Sequence, residues 1–144
     1  MAITTNAICN SFKKELFEAV HNFSNPGGNK FNLSMYTSQA TLGKSTTSFT
    51  TGNEVTSPAG YSSGGKVLVN TGTSVASSVA ITDFADLSFT NVTLTARGAL
   101  IYNTSATNKA VCVLDFGGDK TATAGTFTIQ FPAFTTSAAI LRIS

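Results

Sequence analysis

Residues 30–37 read KFNLSMYT, and the reading of this stretch decides the class of fold. Phe31, Leu33 and Met35 alternate with Asn32, Ser34 and Tyr36. A period of two sends successive side chains to opposite faces of an extended chain, which makes this a half-buried strand. Working downstream, GKVLVN, SVAITDFAD, LSFTNVTLTA, GALIYN, KAVCVLDFG, GTFTIQFP and AAILRIS are further short runs rich in β-branched and aromatic residues. NTSATNK and GGDKTATAG read as the turns between the later ones. Short strands at such spacing predict a mainly β fold, a β-sandwich or small β-barrel of about seven or eight strands.

Upstream the period changes. Ile8, Phe12, Leu16 and Val20 recur every four residues, Ala19 and Phe23 widen the same face, and Lys13, Lys14, Glu18 and His21 take the other. This predicts one N-terminal amphipathic helix over about 5–23, with Thr4, Thr5 and Asn6 as N-cap candidates and SNPGGN ending it. An apolar stripe on a lone helix must cover its own sheet or a neighbouring subunit. Between the first strand and the later ones, Ser38–Ser63 has no period and only Leu42, Phe49, Val55 and Tyr61 as isolated apolar residues. A long aperiodic segment in a small domain reads as a loop that grips a partner. Ile8, Phe12, Leu16 and Val20, with Phe49 and Tyr61 of the loop, are the candidate interface residues.

The 144 residues fit one domain, 1–144, with the β part over about 30–144. Charged residues are only 11% of the chain, and Ser and Thr fill about a quarter of it. Surfaces solvated by hydroxyls suit strands, and they suit contact with other subunits, where a buried charge is costly. The net charge of +2 is scattered and no basic run is present, which argues against nucleic-acid binding. No stretch is apolar enough to span a membrane, and the N-terminal residues carry no secretory pattern, so synthesis in the cytoplasm is expected. Cys9 and Cys112, far apart in apolar surroundings, read as buried free thiols, with a disulfide linking the two ends of the chain as the alternative.

Catalytic and ligand-binding chemistry is thinly supplied. GYSSGGKV, residues 60–67, has the G-x-x-x-x-G-K spacing that cradles nucleotide phosphates. Val67 stands where Mg²⁺ needs a hydroxyl, and a strand-like run follows where a helix is required. It reads as a glycine-rich lead into a strand. The single histidine, His21, falls on the polar face of the predicted helix, as a solvated residue, so no Ser-His-Asp triad or His-rich metal site assembles. Asp83 and Asp86 would need backbone oxygens to complete a calcium site and read instead as outward or turn-capping groups. DFG in LDFGGDK lacks every companion kinase motif. Arg97 is expected to pair with Asp83, Asp86 or Asp115. The sequence therefore predicts no enzyme, with no catalytic, cofactor or metal residues.

Five runs, NSFKKELFEAVHNF, LSMYTSQATLGKSTTSFTT, NEVTSPAGYSSGGKVL, DFADLSFTNVTLTARGALIYN and AVCVLDFGGDKTATAGTFTIQFP, cover nearly the whole chain. Together they resemble small virion structural proteins of tailed bacteriophages, especially the marine and cyanobacterial type. The resemblance implies a virion component, either capsid decoration or tail-associated, and the favoured expectation is a capsid decoration (cement) protein on the outer capsid surface, bound to the major capsid protein or other virion subunits. It carries no catalytic residues. A homo-oligomer, with a trimer favoured by the shell's three-fold positions, is the expected state. The alternatives are a tail, neck or fibre-associated protein, and a host-surface or glycan-binding module using Tyr36, Tyr61 and Tyr102.

Overall fold

In the computed structural model, which describes residues 3–56 and 59–144, the strands form two antiparallel sheets. They are β1 (Ala7–Ile8), β2 (Phe31–Tyr36), β3 (Lys66–Val67), β4 (Asn70–Ala76), β5 (Val79–Phe84), β6 (Leu87–Asn103), β7 (Lys109–Ile129) and β8 (Leu141–Ile143). The larger sheet has the order β1-β7-β6-β2-β3 and the smaller β4-β5-β8. The protein is mainly β, as the sequence predicts, and the sheets do not close into a barrel.

The spine is the β6–β7 hairpin, 17 and 21 residues long, joined through a short 3-10 turn at Thr104–Ala106. LSFTNVTLTA and GALIYN are thus one strand, and so are KAVCVLDFG and GTFTIQFP. The predicted turn GGDKTATAG is internal to β7. Positive φ at Gly117 and Ala124, with register shifts along the pair, absorbs its irregular residues as bulges while the ladder continues. SVAITDFAD, residues 78–86, holds the single strand β5, and the sequence reading missed β4 just before it. Ser77 and Ser78 both adopt positive φ and turn β4 back onto β5.

Strand β2 follows its pattern, with one revision. Phe31, Leu33 and Met35 are buried, but so are Ser34 and Tyr36. Phe31 stacks on Phe23 at 4.4 Å between ring centroids and lies 5.8 Å from Phe84. The other face is covered by the segment 38–63, where Phe49 stacks on Tyr102 of β6 at 4.7 Å.

That segment is not a free loop, although Ser57 and Pro58 within it lie outside the described residues. Its backbone is spent on the sheet. Val55 N–H donates to Met35 O at 2.9 Å, and Ala110 N–H donates to Thr47 O at 3.0 Å. Bridges Tyr36–Glu54 and Ser48–Lys109 extend both edges. Ala40, Val55 and Tyr61 join the core. Buried amides need partners, and the strand edges supply them, so the absence of a period did not mean an absence of order.

The helix, α1, is shorter than its sequence period suggests, at Asn10–Phe17. Ala7 and Ile8 instead extend the large sheet, pairing with Val113 and Cys112. Ala19 takes a left-handed conformation, and its N–H donates to Leu16 O while Val20 N–H donates to Glu15 O. This left-handed turn ends the helix and swings His21 and Phe23 beneath it.

Candidate functional site

Most titratable side chains are locked into structural networks. His21 is the clearest correction, because it is buried rather than solvated. Its Nδ1 lies 3.0 Å from Asn103 Nδ2, which can only donate, so Nδ1 accepts and Nε2–H donates to Glu15 Oε1 at 2.9 Å. Asn103 also donates to Asn29 Oδ1 at 2.9 Å, and Lys109 Nζ lies 3.6 Å from Glu15. The network ties the end of α1 to the β6–β7 turn, under the rings of Phe12 and Phe31.

Glu54 makes the second network. Its Oε2 accepts from Tyr61 Oη–H and from Gly64 N–H, both at 2.7 Å, and its Oε1 accepts from Ser63 Oγ–H at 2.8 Å. Tyr61 Oη in turn accepts Met35 N–H at 2.9 Å. Burial, with the carboxylate beside it, pushes the Tyr61 phenol well above its ordinary range. Tyr36 is raised to about 12, mainly by burial, and donates to Thr50 O at 2.7 Å.

The same region explains GYSSGGKV. Gly65 has φ +79, and a Cβ there would lie 1.7 Å from Leu33 O. Gly60 has φ +88, and a Cβ there would lie 2.6 Å from Thr90 O. Both glycines exist for close backbone approach between this segment and the sheet. Lys66 opens β3, and its Nζ donates to Ser88 O at 2.6 Å. A strand, β3, follows the glycines where a phosphate cradle needs the N-terminus of a helix.

Arg97 pairs with Asp115, one of the three partners expected. Hydrogen bonding from Gly117 N–H, then from Arg97, holds the Asp115 carboxyl below its ordinary value. Asp86 Oδ1 accepts Phe131 N–H, and Asp83 Oδ1 accepts Phe84 N–H, each at 2.8 Å. Asp83 is buried, its Oδ2 has no partner, and burial raises its pKa. Among the described residues no three His, Cys, Asp or Glu side chains converge. Cys9 and Cys112 are both buried and free. Ile8 pairs with Cys112, so the next residue, Cys9, turns to the opposite side of the sheet. Burial raises the thiols to about 11 and about 12, which suppresses the reactive thiolates.

What the surface offers is apolar. A cleft of about 620 Å³ opens between α1 and the small sheet, walled by Phe12, Leu16 and Phe23 on one side and Ile81, Leu141 and Ile143 on the other. Phe17 stands on its rim, 95% exposed, and Ile143 is 63% exposed. Among the described residues, Lys13 and Arg142 are the only charged side chains lining it.

Of the six candidate interface residues, Ile8, Phe12 and Leu16 line this cleft. Val20 and Phe49 are half-buried elsewhere, and Tyr61 belongs to the core. Tyr36, Tyr61 and Tyr102 are all buried, so they form no exposed platform for a sugar. Sequence reasoning missed Phe17. Its signal was available, as an aromatic residue set beside Lys13, Lys14 and Glu18 off the apolar stripe.

No protein family, curated protein or solved structure matches the chain. No helix of the described residues is long and apolar enough to cross a membrane.

Proposed function

We propose that this chain is a structural subunit of a bacteriophage virion, acting as a capsid decoration protein on the outside of the head. The observation that supports this most is the uncovered apolar surface around Phe17 and the α1 cleft. It sits on a β fold in which the buried His21 and Glu54 are engaged in internal networks. Exposed apolar surface of this kind marks association, because leaving it in water forgoes roughly 25 cal/mol for every Å². The resemblance to tailed-phage virion proteins supplies the setting. The sparse charge suits it, since subunit contacts then desolvate few full charges.

In this reading the protein works by adding contact area. Each copy contributes burial on the order of 800 Å² per partner, the size of a standard interface. Many copies on one shell raise the total by multivalency. No catalytic step, cofactor or metal is involved, and the partners are the major capsid protein or neighbouring virion subunits, with a trimer as the favoured oligomer.

The test is surface labelling of purified virions from the encoding phage. Antibody raised against the isolated protein should decorate intact heads. Labelling confined to tails, or seen only after heads are broken open, would remove the decoration role.

A further inference from the structure

We infer that the outer edge of β4 pairs with the β4 of a second copy of this chain, antiparallel about a two-fold axis at Ser74, so that two small sheets join into one. The inference rests on the reading of the chain as an assembling subunit, but not on where the assembly sits.

The edge is open because of its backbone geometry. β4 is an outer strand of the small sheet and is held by β5. Ser77 and Ser78 close the hairpin as a two-residue turn, so Ala76 and Val79 exchange hydrogen bonds and the pairing alternates from there. Ser74 with Ile81 is the next bonded pair. Val75 opposite Ala80 and Thr73 opposite Thr82 are not bonded, and their N–H and C=O groups point away from β5. Among the described residues no other backbone group bonds these four.

Other sheet edges are used or guarded. β1 and β3 have two residues each, and just beyond them Asn10 N–H donates to Lys44 O and Val69 O accepts Ala85 N–H. β8 has three residues and carries Arg142. The outer half of β6 is approached by Gly60 and bonded at Ser88 O by Lys66. The outer half of β7 is longer, but Gly117 and Ala124 bulge it, and Asp119 and Lys120 charge it. Brevity, bulges and charge are the usual protection of an edge against pairing. β4 is irregular only between Asn70 and Thr73, and residues 70–82 include no charged side chain.

A second copy fits this edge because antiparallel pairing is complementary to itself about a two-fold axis. With Ser74 opposite Ser74 of the second copy, Thr73 and Val75 of each chain face Val75 and Thr73 of the other. Each of these two pairs exchanges two N–H···O bonds, so all the outward groups of Thr73 and Val75 are satisfied. Any other centre within 73–76 satisfies fewer. With no charge in residues 70–82, the axis opposes no like charges. Val75, 70% exposed, gains Thr73 of the second copy as a neighbour on its own face. Register sets Val75 in one row with Ala80 and Ile143, and Ile143 walls the α1 cleft. The two clefts therefore open on the same side of the joined sheet, as a doubled apolar face.

Cysteine cross-linking tests the contact. Ser74 is exposed, and opposed Cα atoms of a non-bonded antiparallel pair lie about 4.5 Å apart, inside the roughly 4.4–6.8 Å a disulfide spans. With oxidised glutathione, two Ser74→Cys chains should give one disulfide while the glutathione is reduced. Cys9 and Cys112 are buried and stay out of the reaction. At ~0.1 mM protein even a millimolar contact pairs about a tenth of the chains. Ser74→Cys should then dimerise at least about 10-fold faster than Thr123→Cys, an exposed site on β7, because only an opposed pair holds disulfide geometry. Adding Val75→Pro removes an outward N–H without touching the β4–β5 ladder, and should lower the rate to that of Thr123→Cys. Adding Val75→Thr keeps the N–H and the branched side chain, and should leave the rate within about two-fold. Circular dichroism checks folding, and Val75→Lys replaces the proline variant if that does not fold.

A Ser74→Cys rate no higher than that of Thr123→Cys overturns the inference. So does a rate that Val75→Pro or Val75→Lys leaves unchanged. Fast cross-linking at Ser74→Cys with no copies in virions would leave the edge contact standing and sink the virion role instead.

Discussion

Replacing Glu54 by alanine should loosen the segment 38–63 from the sheet. The carboxylate accepts from Tyr61, Ser63 and Gly64 at 2.7–2.8 Å. A hydrogen bond to a charged group is worth about 1.5–3 kcal/mol net when its partners stay buried. Ser63 is exposed and regains water, and Gly64 does so in part, but Tyr61 is buried and does not. One buried donor lost outright and two partly compensated give a cost of about 2–4 kcal/mol. For a chain of this size that lowers Tm by roughly 6–14 °C. Glutamine at the same position should behave differently. Its carbonyl oxygen, placed at Oε2, still accepts from Tyr61 and Gly64, while its amide donates to Ser63 Oγ, so the loss should stay below about 1 kcal/mol. Urea denaturation followed by circular dichroism gives both values, and limited proteolysis should show new cuts within 38–63 in the alanine variant alone. An alanine variant within ~0.5 kcal/mol of the parent, with no new cuts, would refute the clasp.

Three further outcomes follow from the same structure. His21→Ala should destabilise by about 2–3 kcal/mol in thermal or urea unfolding, because Glu15 and Asn103 both lose a buried partner. Asp83→Asn should be more stable than the parent at neutral pH. Burial raises the Asp83 pKa, so its ionised form opposes folding, and the variant's advantage should shrink as pH falls through that raised value. Phe17→Ser should leave monomer stability within ~0.5 kcal/mol, the range for exposed sites, while weakening self-association seen by sedimentation.

The alternation in KFNLSMYT carried the fold class, because a period of two has one structural meaning when Phe31, Leu33 and Met35 share a face. The same logic failed for α1. Ile8 to Val20 keeps a helical spacing, yet Ile8 is claimed by the open edge of β7 and Val20 follows a left-handed turn at Ala19. Backbone pairing with a distant strand leaves no trace in local periodicity. His21 misled for a related reason, since polar position on an ideal helix says nothing once the helix ends before it. The segment 38–63 hid its order in Glu54 and Tyr61, residues seven apart whose bond depends on the sheet between them. The cleft was half legible. Its stripe could be read from Ile8, Phe12 and Leu16, but the opposing wall from β5 and β8 could not.

The central claim is that this chain coats a phage head in many copies, and the stoichiometry of purified virions tests it most directly. Quantitative mass spectrometry would measure this protein against the major capsid protein of the same particles. A decoration role predicts a ratio near one to one, or one to a few. A ratio near one to fifty would place the protein at the neck or tail, and its absence from the particles would contradict the account.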